Sequence, residues 1–213
     1  MKWFLFFPIL FIAFNCSNSK KSNSSINESV LAENEELYIV LNNLFSFDLY
    51  ETDAIRMETM KLHIGKSKTF KVGEIQAPPP PYIVFDREYF KALVNMQVLT
   101  NKEAEFMFEN IDTTKLLMLD SLKINSTRII RGKELSGFFI KYGFDSTYFY
   151  LKKIKEIDEY SIISAPIYSE NKNKIILIVD TYCGELCGQG YVYIFEKKNN
   201  RWKILFKGGT WVC

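Results

Sequence analysis

The sequence predicts an α+β domain in which N-terminal helices precede a C-terminal antiparallel meander of four or five strands. Three observations lead there. Up to about residue 154, apolar residues recur mostly at helical spacing. From Tyr160 onward they form short runs or alternate with polar residues. Asn-bearing turns separate the later runs, and tight turns join antiparallel neighbours.

The first element is a helix over residues 27–47. Leu37, Val40, Leu41, Leu44 and Phe45 share one face, and Ser29 is the N-cap. Residues 54–62 alternate imperfectly and read as a short strand. Pro78, Pro79, Pro80 and Pro81 read as an extended polyproline strut. Two short helices follow. Asp86 caps the first, on which Tyr89, Phe90, Leu93 and Val94 share a face. A capping box, Thr100 with Glu103, opens the second, lined by Ala104, Met107, Phe108 and Ile111. Residues 116–119 read as a strand. A helical pair comes next. Leu135, Phe138, Phe139 and Tyr142 line its first member, Gly143 stops it, and Asp145 caps the second, with Phe149, Leu151 and Ile154 packing.

The strands expected in the meander are 160–168, 175–182, 191–196 and 201–206, with a fifth at 210–212. The run Ile175, Ile176, Leu177, Ile178, Val179 is apolar on both faces and belongs at the sheet centre. Trp202, Ile204 and Phe206 alternate with Lys203, Leu205 and Lys207, as on a strand with one buried face.

Ahead of the domain stands a different kind of segment. Lys2 gives a basic start, and WFLFFPILFIAF (residues 3–14) carries no charge before Asn15 and Cys16. That is the layout of a secretory signal. The run falls short of the roughly 20 residues a membrane-spanning helix needs. Residues 13–16 resemble a bacterial lipobox, with Ala13 and Asn15 in place of its usual leucine and small residue. Cleavage is expected before Cys16, leaving residues 1–15 as leader and the Cys16 thiolate as acceptor of lipid. Acyl chains such as palmitate anchor at roughly 0.8 kcal/mol per buried CH₂. Residues 16–28 are almost all Ser, Asn and Lys and read as a flexible tether to one domain at 29–213. Lys20 and Lys21, with no acid beside them, favour an anchor facing the periplasm, at the outer membrane.

The formal net charge is +2, and loss of the leader removes one lysine. Near neutrality gives no case for nucleic acid as a partner. His63 is the sole histidine, so a Ser/His/Asp or Cys/His apparatus would have to use it, and no G-x-S-x-G elbow exists. Zinc needs about four ligands, and only Cys213 and His63 could join Cys183 and Cys187. No metal and no cofactor is expected. Carboxylate-pair hydrolysis needs no fixed spacing and stays open.

The conspicuous local feature is YCGELCGQG, residues 182–190. Cys183 and Cys187 admit three readings: a disulfide in an oxidising compartment, free thiols in a glycine-shaped turn, or redox or metal chemistry. Gly184, Gly188 and Gly190 precede a strand rather than a helix, so they shape a hairpin or bulge rather than a phosphate cradle. Tyr182, Tyr191 and Trp211 are candidates for a binding face.

The string D-x-Y-C-G-x-L-C-G-x-G-x-x-x-x-F-E-K over residues 180–197, then Trp202, Lys203 and Ile204, then Trp211 and Val212, resembles the end of a group of bacterial lipoproteins. Members also carry a proline run ahead of two short helices, as residues 78–81 do. The resemblance implies an exported, lipid-anchored domain and brings no activity. The expected role is a non-enzymatic envelope module binding a protein or small molecule and attached to a membrane through Cys16. The alternative is an envelope hydrolase, or an enzyme using Cys183 and Cys187.

Overall fold

The computed structural model describes residues 30–31, 34–46, 52–64, 84–125, 127–184 and 187–212. Cys16, the leader and tether, Ser29, the strut at 78–81, the Asp145 side chain and Cys213 lie outside the described residues. In chain order the elements are β1 (Val30–Leu31), α1 (Glu35–Ser46), β2 (Ala54–Arg56), β3 (His63–Ile64), β4 (Val84–Phe85), α2 (Arg87–Asn95), α3 (Asn101–Glu109) and β5 (Leu117–Met118). A 3₁₀ turn (Ser121–Lys123) leads to β6 (Arg128–Ile130), α4 (Gly132–Lys155), β7 (Tyr160–Ile163), β8 (Ile167–Tyr168), β9 (Lys174–Gly184), β10 (Cys187–Lys198) and β11 (Arg201–Val212).

The architecture is α+β, but the main sheet is not a purely antiparallel meander. Its strand order is β11-β10-β9-β7-β2-β6, with β8 also on β9. The antiparallel part runs from β11 to β7. Beyond it β2, from the N-terminal half, lies parallel to both β6 and β7. A three-residue strand shows too little of the period-two pattern to reveal such an insertion. Four expected boundaries also move. The strand expected at 160–168 is interrupted between β7 and β8, those at 201–206 and 210–212 are one strand, the one at 54–62 shrinks to β2, and the first helix starts at Glu35. Asn34 opens that helix, its side-chain oxygen accepting from the Glu36 amide.

Helices cover both faces of the sheet, which is why residues 175–179 are buried on both sides. On one face α1 places Leu37, Val40, Leu41 and Leu44 against Ile175, Leu177, Val179, Tyr193 and Phe195. On the other, α2 and α3 bring Phe90, Leu93, Ala104 and Met107 against Ile176, Ile178, Val192 and Ile194. Each large aliphatic or Phe side chain buried there contributes about 1.5–3 kcal/mol. Asp86 caps α2 and Thr100 with Glu103 forms a complete capping box on α3. Glu103 also receives the Lys174 ammonium at 2.9 Å, so the cap ties α3 to the first residue of β9.

α4 covers the β7-β2-β6 side of that second face with Leu135, Leu151 and Ile157. Gly143 leaves the helix with φ 77° and ψ 177°, a conformation glycine tolerates because it has no Cβ. The chain then folds back. Lys155 Nζ lies 2.9 Å from Glu134 Oε1, and the Phe138 and Tyr150 rings are 4.2 Å apart. In a straight helix residues 134 and 155 would be about 30 Å apart. α4 is therefore a helical hairpin. Phe149 and Ile154, expected to pack, are instead 65% and 62% exposed.

β11 departs from its expected alternation. A bulge at Leu205 shifts its register against β10, so that Ile204 faces Phe195 but Phe206 faces Ile194. Trp202 and Ile204 consequently pack on the α1 side and Phe206 on the α2–α3 side. Glu36 on α1 holds the α1 side, accepting from Lys197 Nζ at 2.6 Å and Trp202 Nε1 at 2.6 Å. Those two hydrogen bonds keep its carboxyl below the usual range.

Candidate functional site

The ends of β9, β10 and β11 gather the chain's unusual residues on one face. Asp180 and Tyr182 alternate with Thr181 on β9, and they pair with Gly190 and Gly188 on β10. Gly190 in turn faces Trp211 on β11. With no side chain on either glycine, the Trp211 indole lies along β10. A Cβ at Gly188 would sit 2.7 Å from its Cη2, and one at Gly190 would sit 2.2 Å from its Nε1. The indole crosses the bare strand and donates from Nε1 to Asp180 Oδ1 at 2.9 Å. A second bulge, at Thr210, sets this end of β11 apart from the regular register.

Asp180 is 1% exposed. Burial pushes its carboxyl up to about 7, and the Trp211 hydrogen bond offsets only part of that. Its Oδ2 and the Thr210 hydroxyl are buried without a hydrogen-bond partner among the described residues.

A row of rings leads away from this carboxyl. Trp211 and Tyr182 have centroids 5.5 Å apart, Tyr182 and Tyr160 stack at 5.5 Å, and Tyr160 and Tyr148 stack at 6.4 Å. Arg56 on β2 lies near them, donating to the carbonyls of Glu58 and Thr59. Burial draws its guanidinium below the ordinary value, opposed by Glu58, Tyr160 and Tyr182. Glu58 accepts from the Gly132 amide at the start of α4, a favourable place for a negative charge.

Cys183 and Cys187 are joined by a disulfide with Cα atoms 5.1 Å apart, closing the β9–β10 hairpin. The register changes by one residue between Cys187 and Gly188. That slip decides where Tyr191 points. Tyr182 and Trp211 meet, but Tyr191 faces the opposite side of the sheet, in ring contact with Tyr193 and with Lys207 Nζ 4.0 Å from its centroid. The three candidate rings therefore do not form one binding face.

Asp180 was not singled out as a site residue by its sequence context. Its signal is an acidic side chain entering the most apolar strand of the chain. His63 stands exposed on β3. Among the described residues no three His, Cys, Asp or Glu side chains converge as metal ligands. Hollows among the described residues lie elsewhere. One of about 220 Å³ is lined by Phe106, Asn110, Lys115, Tyr168 and Glu170. Another, about 530 Å³, lies between α1 and β11 and is lined by Ile39, Asn43, Trp202 and Ile204.

The arrangement holds a carboxyl able to change charge near neutral pH beneath an aromatic cover, beside a row of tyrosines. Comparison with known proteins returns no matching family, and no curated protein or solved structure matches the chain.

Proposed function

We propose that this chain is a lipid-anchored protein of the cell envelope, kin to the bacterial lipoproteins sharing its C-terminal motif, and that it works by binding rather than catalysis. The observation that carries the reading is the uncharged run of residues 3–14 followed at once by Asn15 and Cys16. The Cys183–Cys187 disulfide supports it, since such bonds persist in oxidising compartments. Tyr182 and Trp211 form the binding platform, both half-buried, with the indole seated on the glycines of β10 and the Tyr182 ring beside it. Asp180 serves that platform by fixing the indole. At 1% exposure its carboxyl is closed to a substrate while Trp211 stays in place, which favours binding over hydrolysis.

The anchor is tested by growing cells with an alkyne-tagged fatty acid. The expected result is a labelled chain in the membrane fraction and an unlabelled Cys16→Ala variant. Equal labelling of the two would sink the reading. A photo-crosslinking residue at position 182 is expected to give discrete adducts that Trp211→Ala abolishes. Adducts indifferent to Trp211 would remove the platform.

A further inference from the structure

Large apolar side chains exposed singly on a protein surface are ordinary. Here Ile39, Ile64, Met96 and Leu122 stand singly on separate parts of the fold and Leu205 and Val212 lie seven residues apart on β11, but four lie on one helical element. On α4, Ile140 is 87% exposed, Phe149 65%, Ile154 62% and Tyr142 41%. The helix buries Leu135 and Leu151. At 100° per residue, Ile140 lies about 140° around the helix from Leu135, and Phe149 about 160° from Leu151. Both point away from the sheet.

The charges beside these residues are mostly basic. Lys155 is paired with Glu134 and Lys152 with Asp158. Lys133, Lys141 and Lys153 enter no salt bridge among the described residues, and Lys133, Lys141 and Lys153 are exposed. Large apolar side chains among lysines on a helix surface match the chemistry of an interfacial helix on anionic lipid, where apolar groups enter the headgroup boundary and lysines meet phosphates.

We propose that the outer surface of the α4 hairpin rests on an anionic lipid bilayer, with Ile140 and Phe149 as its apolar contacts and Lys133, Lys141 and Lys153 as its electrostatic ones. The proposal deepens the anchored reading, relying on it only to bring the domain near a membrane. Residues 16–29 reach at most about 50 Å when fully extended, enough for α4 to meet the bilayer from a domain of this size. Lys20 and Lys21 add basic charge close to the lipid itself. A neutral protein partner would have no use for three uncompensated lysines around the apolar residues.

The test uses the full chain as the cell processes it, mixed with vesicles of phosphatidylcholine alone or of phosphatidylcholine with phosphatidylglycerol. Hydrogen exchange across residues 132–155 is expected to slow at least threefold on the anionic vesicles and to stay unchanged on the neutral ones. Ile140→Asp with Phe149→Asp is expected to abolish the slowing without moving the melting temperature, because both side chains are exposed. Lys133→Gln, Lys141→Gln and Lys153→Gln together are expected to weaken partitioning onto anionic vesicles roughly a hundredfold, at about fivefold per lysine. Unchanged exchange in α4 on both vesicles overturns the proposal, as does slowing that survives the paired Asp substitutions. Fatty-acid labelling of Cys16 separates the two ideas: a labelled chain with an unprotected α4 keeps the anchor and refutes the contact, and an unlabelled chain with a protected α4 does the reverse.

Discussion

Replacing Asp180 by asparagine asks whether the buried carboxyl imposes a cost on the folded state at neutral pH. The folded-state value of about 7 stands some three units above the ordinary value of 3.8. Between those limits the folded protein holds a proton that the unfolded chain has released. Stability therefore falls as pH rises through this window, by about 1.4 kcal/mol per unit, and is level above it. From pH 5 to pH 8 the loss due to this one group is about 2–3 kcal/mol. Asparagine has the same shape, keeps an oxygen to accept from Trp211 Nε1, and carries no charge. The variant is expected to match the wild type within about 1 kcal/mol at pH 5 and to exceed it by about 2–3 kcal/mol at pH 8. Urea unfolding at a series of pH values measures this. A wild type of level stability between pH 5 and 8, or a variant with the same slope as the wild type, would refute the reasoning.

Gly190→Ala puts a methyl 2.2 Å from Trp211 Nε1 and 2.4 Å from the Thr210 hydroxyl. It is expected to cost about 1–3 kcal/mol and to redshift tryptophan emission as the indole lifts, and an unshifted spectrum would count against the seat. Cys183→Ser with Cys187→Ser removes a short loop closure worth about 2 kcal/mol, so thermal melts of the variant should fall below the wild type and lose their sensitivity to reductant. Glu103→Ala strips the carboxylate half of the α3 capping box, which accepts from the Thr100 amide, and the partner of the nearly buried Lys174, at a cost of about 2–3 kcal/mol. Adding Lys174→Met should recover part of that loss, and strictly additive losses would show that the pair is not coupled.

The parts of this fold written in local chemistry were legible in the sequence. Asp86 and the Thr100–Glu103 box mark helix starts because their side chains satisfy amides within three residues. Gly143 marks a turn because the left-handed conformation there suits a residue without Cβ. The run from Ile175 to Val179 announces a strand covered on both faces. Long-range pairing was not legible. β2 has three residues, and its place between β6 and β7 depends on partners more than seventy residues away. Parity was lost at the bulges. One slipped residue beside Cys187 moves Tyr191 to the far side of the sheet, and another at Leu205 moves Phe206. The role of Asp180 is not legible because it comes from depth and from an indole reaching across a strand, and neither leaves a mark in linear order.

The insertion of β2 between strands that arrive much later bears on when the chain can fold. Wherever it emerges N-terminus first, its opening half waits. α1 has no sheet to cover until β9 and β10 appear, and β2 stays without neighbours until residues 128–130 and 160–163 have followed. The Trp211 indole that closes Asp180 belongs to the last strand. Such an order favours late, cooperative folding dominated by distant contacts, and hence slow folding. Such late folding would suit a chain to being threaded through a narrow pore, as the proposed export requires, and the same delay leaves its apolar β9 open to aggregation.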